Sequence, residues 1–136
     1  MAEPSIDLTG TGSMGILRFL EARTARHLFG LPGSSSVPIF HGLPSTRLRF
    51  VAALQEGGSM AMADGYARFA GPTGVLLYML PGVATALSNL YNAWRDETPL
   101  VIIASQLASH ARSGQAHVGE ADLEELTRPF ARFAQE

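Results

Sequence analysis

The triplet Glu56-Gly57-Gly58 follows the apolar stretch Arg47–Leu54 (RLRFVAAL) and is the most chemically suggestive point in the chain. A carboxylate at the end of a sheet strand is partly withdrawn from water. Burial there disfavours the charged form. Such a group can exchange a proton with a heterocycle nitrogen. The competing reading is a helix-capping glutamate near a helix N-terminus, where its charge meets the helix dipole. Other chemistries are poorly served. There is no cysteine, so disulfides, thiolate zinc sites and a Cys nucleophile are excluded. All ten basic residues are arginine, which removes a Schiff-base lysine and a P-loop lysine. The histidines (His27, His41, His110 and His117) lack metal-ligand spacing; His27 and His41 read as surface or loop residues. His110 and His117 lie in a polar stretch that could cover a site. Ser34 has no G-x-S-x-G elbow around it, so its hydroxyl reads as a turn group facing a ligand. Gly10–Gly15 matches G-x-G-x-x-G, but Ser5–Thr9 is too short and mixed to be the strand that a dinucleotide site needs.

The elements that position these residues alternate. Residues 1–12 read as a leader, followed by a domain over 13–136. Ser13 is the expected cap of a helix over Met14–Arg23, with Leu17 and Leu20 on one face. A short strand at His27–Phe29 runs into Gly30-Leu31-Pro32-Gly33, and Gly33–Ser36 opens a short second helix. Arg47–Leu54 reads as a strand. Ser59–Phe69 reads as a helix with Met60, Ala63 and Ala67 at helical spacing. Gly65 inside it costs helix stability, a cost accepted if the helix must pack closely on a sheet. Val75–Leu80 is an apolar run of the kind buried on both faces of a parallel sheet, and Pro81-Gly82 ends it. Val83, Leu87, Leu90, Tyr91 and Trp94 make an amphipathic helix, and Pro99–Ser105 is another apolar strand. His110–Asp122 reads as a loop with a helix behind it, and Arg128–Phe133 as the start of a further strand. This alternation predicts an α/β fold, a mostly parallel sheet with helices on both faces. Ligands of such sheets bind beyond the carboxyl ends of the strands. Gly30–Ser36, Gln55–Gly58 and Leu80–Thr85 all fall there.

Composition sets the outer limits. The chain has 136 residues, 46% hydrophobic and 16% charged, with a formal net charge of −2. That suits one domain with a buried core and argues against disorder. No basic stripe marks a nucleic-acid partner, and no apolar stretch reaches the length of a membrane span. A cytoplasmic location is the expectation.

Five segments in order, FGLPGSS, ALQEGGSMAMADGYAR, LPGVATALSNLYNAW, TPLVIIAS and TRPFARFA, resemble the N-terminal pyrimidine-binding (PYR) domain of thiamine-diphosphate enzymes. The likeness is greatest to the benzoylformate decarboxylase and acetolactate synthase group and runs from about Met14 to the end. It implies that Glu56 hydrogen-bonds N1′ of the cofactor's aminopyrimidine and favours the imino tautomer that takes the thiazolium C2 proton. Attack on a 2-keto acid and loss of CO₂ follow, with the cofactor as electron sink. The same resemblance places Pro32, Gly33, Gly82 and Thr85 against the cofactor and Ser34 and Tyr78 against the substrate.

The pattern also departs from the family. Tyr78 stands where benzoylformate decarboxylase carries a catalytic histidine, which weakens the case for benzoylformate as substrate. Leu80 replaces the first glycine of the usual G-P-G, and Gly119 stands where many acetolactate synthase relatives have glutamine. No G-D-G…N motif for Mg²⁺ and diphosphate occurs. The resemblance also leads to a last helix and strand that the sequence does not contain. The chain is therefore expected to be a fragment, or a subunit completed by the diphosphate-binding domain of another subunit in a homo- or hetero-oligomer. Apolar surface around Met60, Met62, Tyr91 and Trp94 is the expected contact. The alternative is a PYR-type subunit that binds a homologous chain without catalysis.

Overall fold

A computed structural model describes residues 10–106 and 122–135. Four parallel strands form one sheet in the order β2-β1-β3-β4: β1 (His27–Gly30), β2 (Arg49–Ala52), β3 (Thr73–Leu77) and β4 (Leu100–Ala104). Helices α1 (Gly12–Ala22), α2 (Val37–Gly42), α3 (Glu56–Ala70), α4 (Met79–Arg95) and α5 (Leu123–Thr127) complete the layers. The central strands alternate between two cores. Phe29, Val75 and Leu77 pack with Met60, Ala63, Val83, Ala86 and Leu90 of α3 and α4. Leu28 and Leu76 pack with Leu17, Leu20 and Ile39 of α1 and α2. The apolar run through β3 is thus explained by helices on both faces. The expected α/β architecture is the one observed.

Several boundaries differ from the sequence expectation, each for a local reason. The cap of α1 is Thr11, whose hydroxyl accepts the Met14 N–H at 3.4 Å; Ser13 lies inside the helix. The Gly10–Gly15 motif is therefore a turn entering this helix. Beyond β1, Ser34–Ser36 is one 3₁₀ turn, and Pro38 in the first turn of α2 lets the chain wind on as α-helix. The β3 strand stops at Leu77. Helix α4 begins at Met79, earlier than Pro81-Gly82 suggests, because proline is tolerated in a first turn where no intrahelical donor is lost. Arg128–Phe133 forms no strand: Arg128–Phe130 is a 3₁₀ turn, with Pro129 supplying a fixed φ and no N–H. Gly65 is exposed, and a Cβ there would meet nothing within 4 Å, so close packing is not its role. His27 is half-buried at the start of β1, with its ring edge-on to Tyr66 at 4.8 Å, while His41 is exposed. His110, His117 and Gly119 lie outside the described residues, as does most of the leader.

The motif Ala63-Asp64-Gly65-Tyr66-Ala67-Arg68 has a structural use. Asp64 is buried and accepts hydrogen bonds from Arg68 Nε (3.1 Å), Arg68 Nη2 (2.7 Å) and Thr98 Oγ1 (2.7 Å). Burial alone would raise its pKa. The hydrogen bonds from Arg68 and Thr98 and the guanidinium charge outweigh it and hold the carboxyl below its ordinary value. Arg68 also pairs with Asp96, tying α3 to the turn that leads into β4.

Candidate functional site

In the strand order β2-β1-β3-β4 the chain leaves β1 for β2 and returns to β3 on the other side of β1. The crevice beyond the carboxyl ends of β1 and β3 is the topological switch point where such sheets bind ligands. Gly33 follows β1 and Tyr78 follows β3 at this crevice. A Cβ on Gly33 would lie 2.1 Å from Cδ2 of Tyr78, so the ring rests directly on the glycine. The Tyr78 and Ser34 hydroxyls are 3.3 Å apart. Ser36 Oγ accepts the Gly33 N–H at 3.0 Å and donates to the Gly33 carbonyl at 2.7 Å, closing the loop on itself.

Glu56 is not at a strand end. It is the first residue of α3, capped by Gln55, whose side-chain oxygen accepts the Gly57 N–H at 2.9 Å. The reading as a glutamate near a helix N-terminus therefore describes its location, with Gln55 rather than Glu56 as the cap, and the turn opens at the carboxyl edge of the sheet. Glu56 is only 9% exposed. Its carboxylate lies over Gly82: a Cβ there would meet Oε1 at 2.8 Å, Cγ at 2.9 Å and Cδ at 3.0 Å. No hydrogen bond from another described residue reaches this carboxylate. Thr85 Oγ1 donates to the Gly82 carbonyl at 3.0 Å and stiffens the same turn.

The turn between β3 and α4 carries strain. Met79 has φ of 53° and is buried, and a non-glycine residue in this region costs of order 1 kcal/mol. Ser105, just past β4, accepts the Met79 N–H at 3.4 Å and donates to the Leu77 carbonyl at 3.3 Å. Ser35 donates to Ser105 at 2.7 Å. The loops after β1, β3 and β4 are thereby joined through hydroxyls.

Residues 10–126 match the family described as thiamine pyrophosphate enzyme, N-terminal TPP binding domain. The chain belongs to that family. A probable 2-ketoarginine decarboxylase of Pseudomonas aeruginosa is 32% identical over 132 residues, covering 93% of this chain and 23% of that protein. Benzoylformate decarboxylase of the same organism is 33% identical over 110 residues, covering 80% of this chain and 21% of the relative. Among solved structures, the thiamine diphosphate-dependent 4-hydroxybenzoylformate decarboxylase of Rhodococcus jostii RHA1 superposes with a TM-score of 0.82 at 31% identity, over 90% of this chain and 23% of that one. The chain thus spans less than a quarter of the length of these relatives.

Within this TPP-binding fold the residues singled out from sequence fall into two neighbouring groups. Pro32, Gly33, Ser34 and Tyr78 gather at the β1–β3 crevice, and Glu56, Gly82 and Thr85 gather where α3 and α4 begin. Gln55, Asn89, Ser35 and Ser105 fall inside the segments that carry the resemblance, but sequence alone assigns them no role. For Asn89 the spacing adds a trace, since 82, 85 and 89 lie along one helix face. A concavity lined by Glu21, Thr24, Arg26 and Arg47 opens at the opposite, amino-terminal edge of the sheet and contains none of these residues. The expected apolar contact surface needs one correction. Met60 is fully buried in the core, whereas Met62, Tyr91 and Trp94 are more than 40% exposed. Phe130 packs edge-on to Tyr91 and Trp94 at 6.1 and 6.3 Å, extending that surface.

Proposed function

We propose that this chain is the pyrimidine-binding part of a thiamine-diphosphate-dependent 2-keto-acid decarboxylase or carboligase, with Glu56 as its catalytic residue. The observation that carries the reading is a nearly buried carboxylate without a partner among the described residues, resting on a glycine at the ligand edge of a parallel sheet. A largely buried glutamate at a ligand edge gains from a ligand that supplies a hydrogen bond to its carboxylate. A ring nitrogen able to carry a proton would supply a hydrogen bond that no other described residue gives this carboxylate. When bound, thiamine diphosphate supplies the carbon nucleophile and the electron sink.

Glu56 holds a proton at N1′ of the aminopyrimidine and moves it during turnover. Gly82 and Thr85, with the loop that carries Pro32 and Gly33, would hold the ring. Ser34 and Tyr78 present two hydroxyls toward the keto acid. The diphosphate and its Mg²⁺ are held by a diphosphate-binding domain of another subunit, which meets the surface around Met62, Tyr91 and Trp94 in a homo- or hetero-oligomer.

Replacing Glu56 with Gln in the assembly containing that domain should lower turnover by roughly 10²–10⁴-fold, the worth of positioned proton transfer. Full activity in that variant would remove Glu56 from the chemistry.

A further inference from the structure

We infer that Asn89 is a positioning residue for Glu56. The inference rests on the role proposed above for that carboxylate. It begins from how the first turn of α3 is held. Three residues of α4 meet that turn: Gly82, Thr85 and Asn89, spaced i, i+3 and i+7 along one helix face. Gly82 underlies the Glu56 carboxylate, and the 2.8 Å approach of Oε1 leaves no room for a methyl group there. The Thr85 carbonyl would lie 2.9 Å from a Cβ on Gly57, so the helices touch backbone to backbone. Asn89 Nδ2 donates to the Gly57 carbonyl at 2.9 Å. The amide orientation follows from chemistry, since a carbonyl only accepts and the NH₂ group must face it.

The Gly57 peptide neighbourhood is therefore fixed from two sides. Gln55 Oε1 takes its N–H at 2.9 Å and Asn89 takes its carbonyl. Only the second bond comes from another element, 32 residues away in sequence. Gly57 and Gly58 give this turn little side-chain packing of its own, and glycine backbone is the most mobile of all residues. Without Asn89 the turn keeps its intrahelical bonds but loses the polar contact that sets its register on α4. Glu56, adjacent in the chain, then drifts over Gly82. Misplacement of about 1 Å costs on the order of a hundredfold in catalysis.

The test compares Asn89→Leu, Asn89→Gln and the neighbouring exposed control Ser88→Ala in the complete assembly. Asn89→Leu should raise the dissociation constant for thiamine diphosphate and lower kcat by roughly tenfold each, a partial version of the cost of misplacement, with KM for the keto acid within about twofold. Amide exchange of the unliganded protein should accelerate at Gly57 and Ser59 and stay unchanged in β1 and β3. Asn89→Gln, which retains a donor, should recover part of the affinity, and Ser88→Ala should match the native protein. Native affinity, kcat and exchange in Asn89→Leu would overturn the inference, as would acceleration spread evenly over the whole chain. Failure of the Glu56 role is distinguishable: it shows as native turnover in Glu56→Gln, whatever Asn89 does.

Discussion

A methyl group at position 82 and the Glu56 carboxylate would compete for the same space, 2.8–3.0 Å apart. The atoms it would strike belong to the outer part of a side chain, so the carboxylate would yield before the helices do. Alanine is also favoured over glycine in a helix by about 1 kcal/mol. Gly82→Ala is therefore expected to fold with undiminished thermal stability and to bind thiamine diphosphate at least tenfold more weakly, as calorimetric titration of the assembly would read. Unchanged affinity would mean that the carboxylate does not act from where it lies. Much of this site is legible in the residues. A carboxylate followed by two glycines draws attention to position 56, and a proline–glycine pair to position 82. For Glu56 the residues leave a strand end and a helix N-terminus both open, and they do not decide because the cap is Gln55, a residue with little capping preference. The Ser34–Tyr78 and Ser35–Ser105 contacts join positions 44 and 70 residues apart, which no local pattern can show.

At the scale of elements, the apolar strands are easy to read because helices cover both faces of the sheet, and β-branched and leucine residues accumulate without alternation. Their ends differ by one to three residues, most at the end of β3, where proline, expected to stop the chain, instead enters the first turn of α4. Arg128–Phe133 has the alternation of apolar and basic residues that suits a strand, while Pro129 and the Thr127 hydroxyl, bonded back to the Leu123 carbonyl at 2.7 Å, favour a tight turn. Helix α3 offers a direct test. Gly65 lies in its exposed interior with open space where a side chain would stand. Gly65→Ala should stabilise the protein by about 0.5–1 kcal/mol in denaturant unfolding, through helix propensity and a less flexible unfolded chain. A loss of stability would indicate that a neighbour occupies that space.

At the scale of the molecule, one buried carboxylate links α3 to the approach to β4, and its linkage to pH has a definite sign. Asp64 has a folded pKa below its ordinary value of 3.8. Its contribution is thus complete above that value and is lost as pH falls through the lower folded value. The hydrogen bond from Arg68 is the first cause of the lowering and that from Thr98 the second, while the charge of Arg68, whose side chain is 40% exposed, is discounted by solvent screening. Asp64→Asn should cost about 1–2 kcal/mol at neutral pH, with the difference from the native protein shrinking in acid below 3.8. A difference that stays constant from neutral pH into strong acid would contradict the linkage. The cofactor site, by contrast, is proposed to be completed only in an assembly, with the exposed cluster of Tyr91, Trp94 and Phe130 as the contact surface. The most direct measurement is made there: the rate at which the thiazolium C2 proton of bound thiamine diphosphate exchanges with D₂O, in native protein and in Glu56→Gln. The proposed role of Glu56 predicts exchange slower in the variant by roughly 10²–10⁴-fold. Equal rates, with cofactor bound to both, would contradict it.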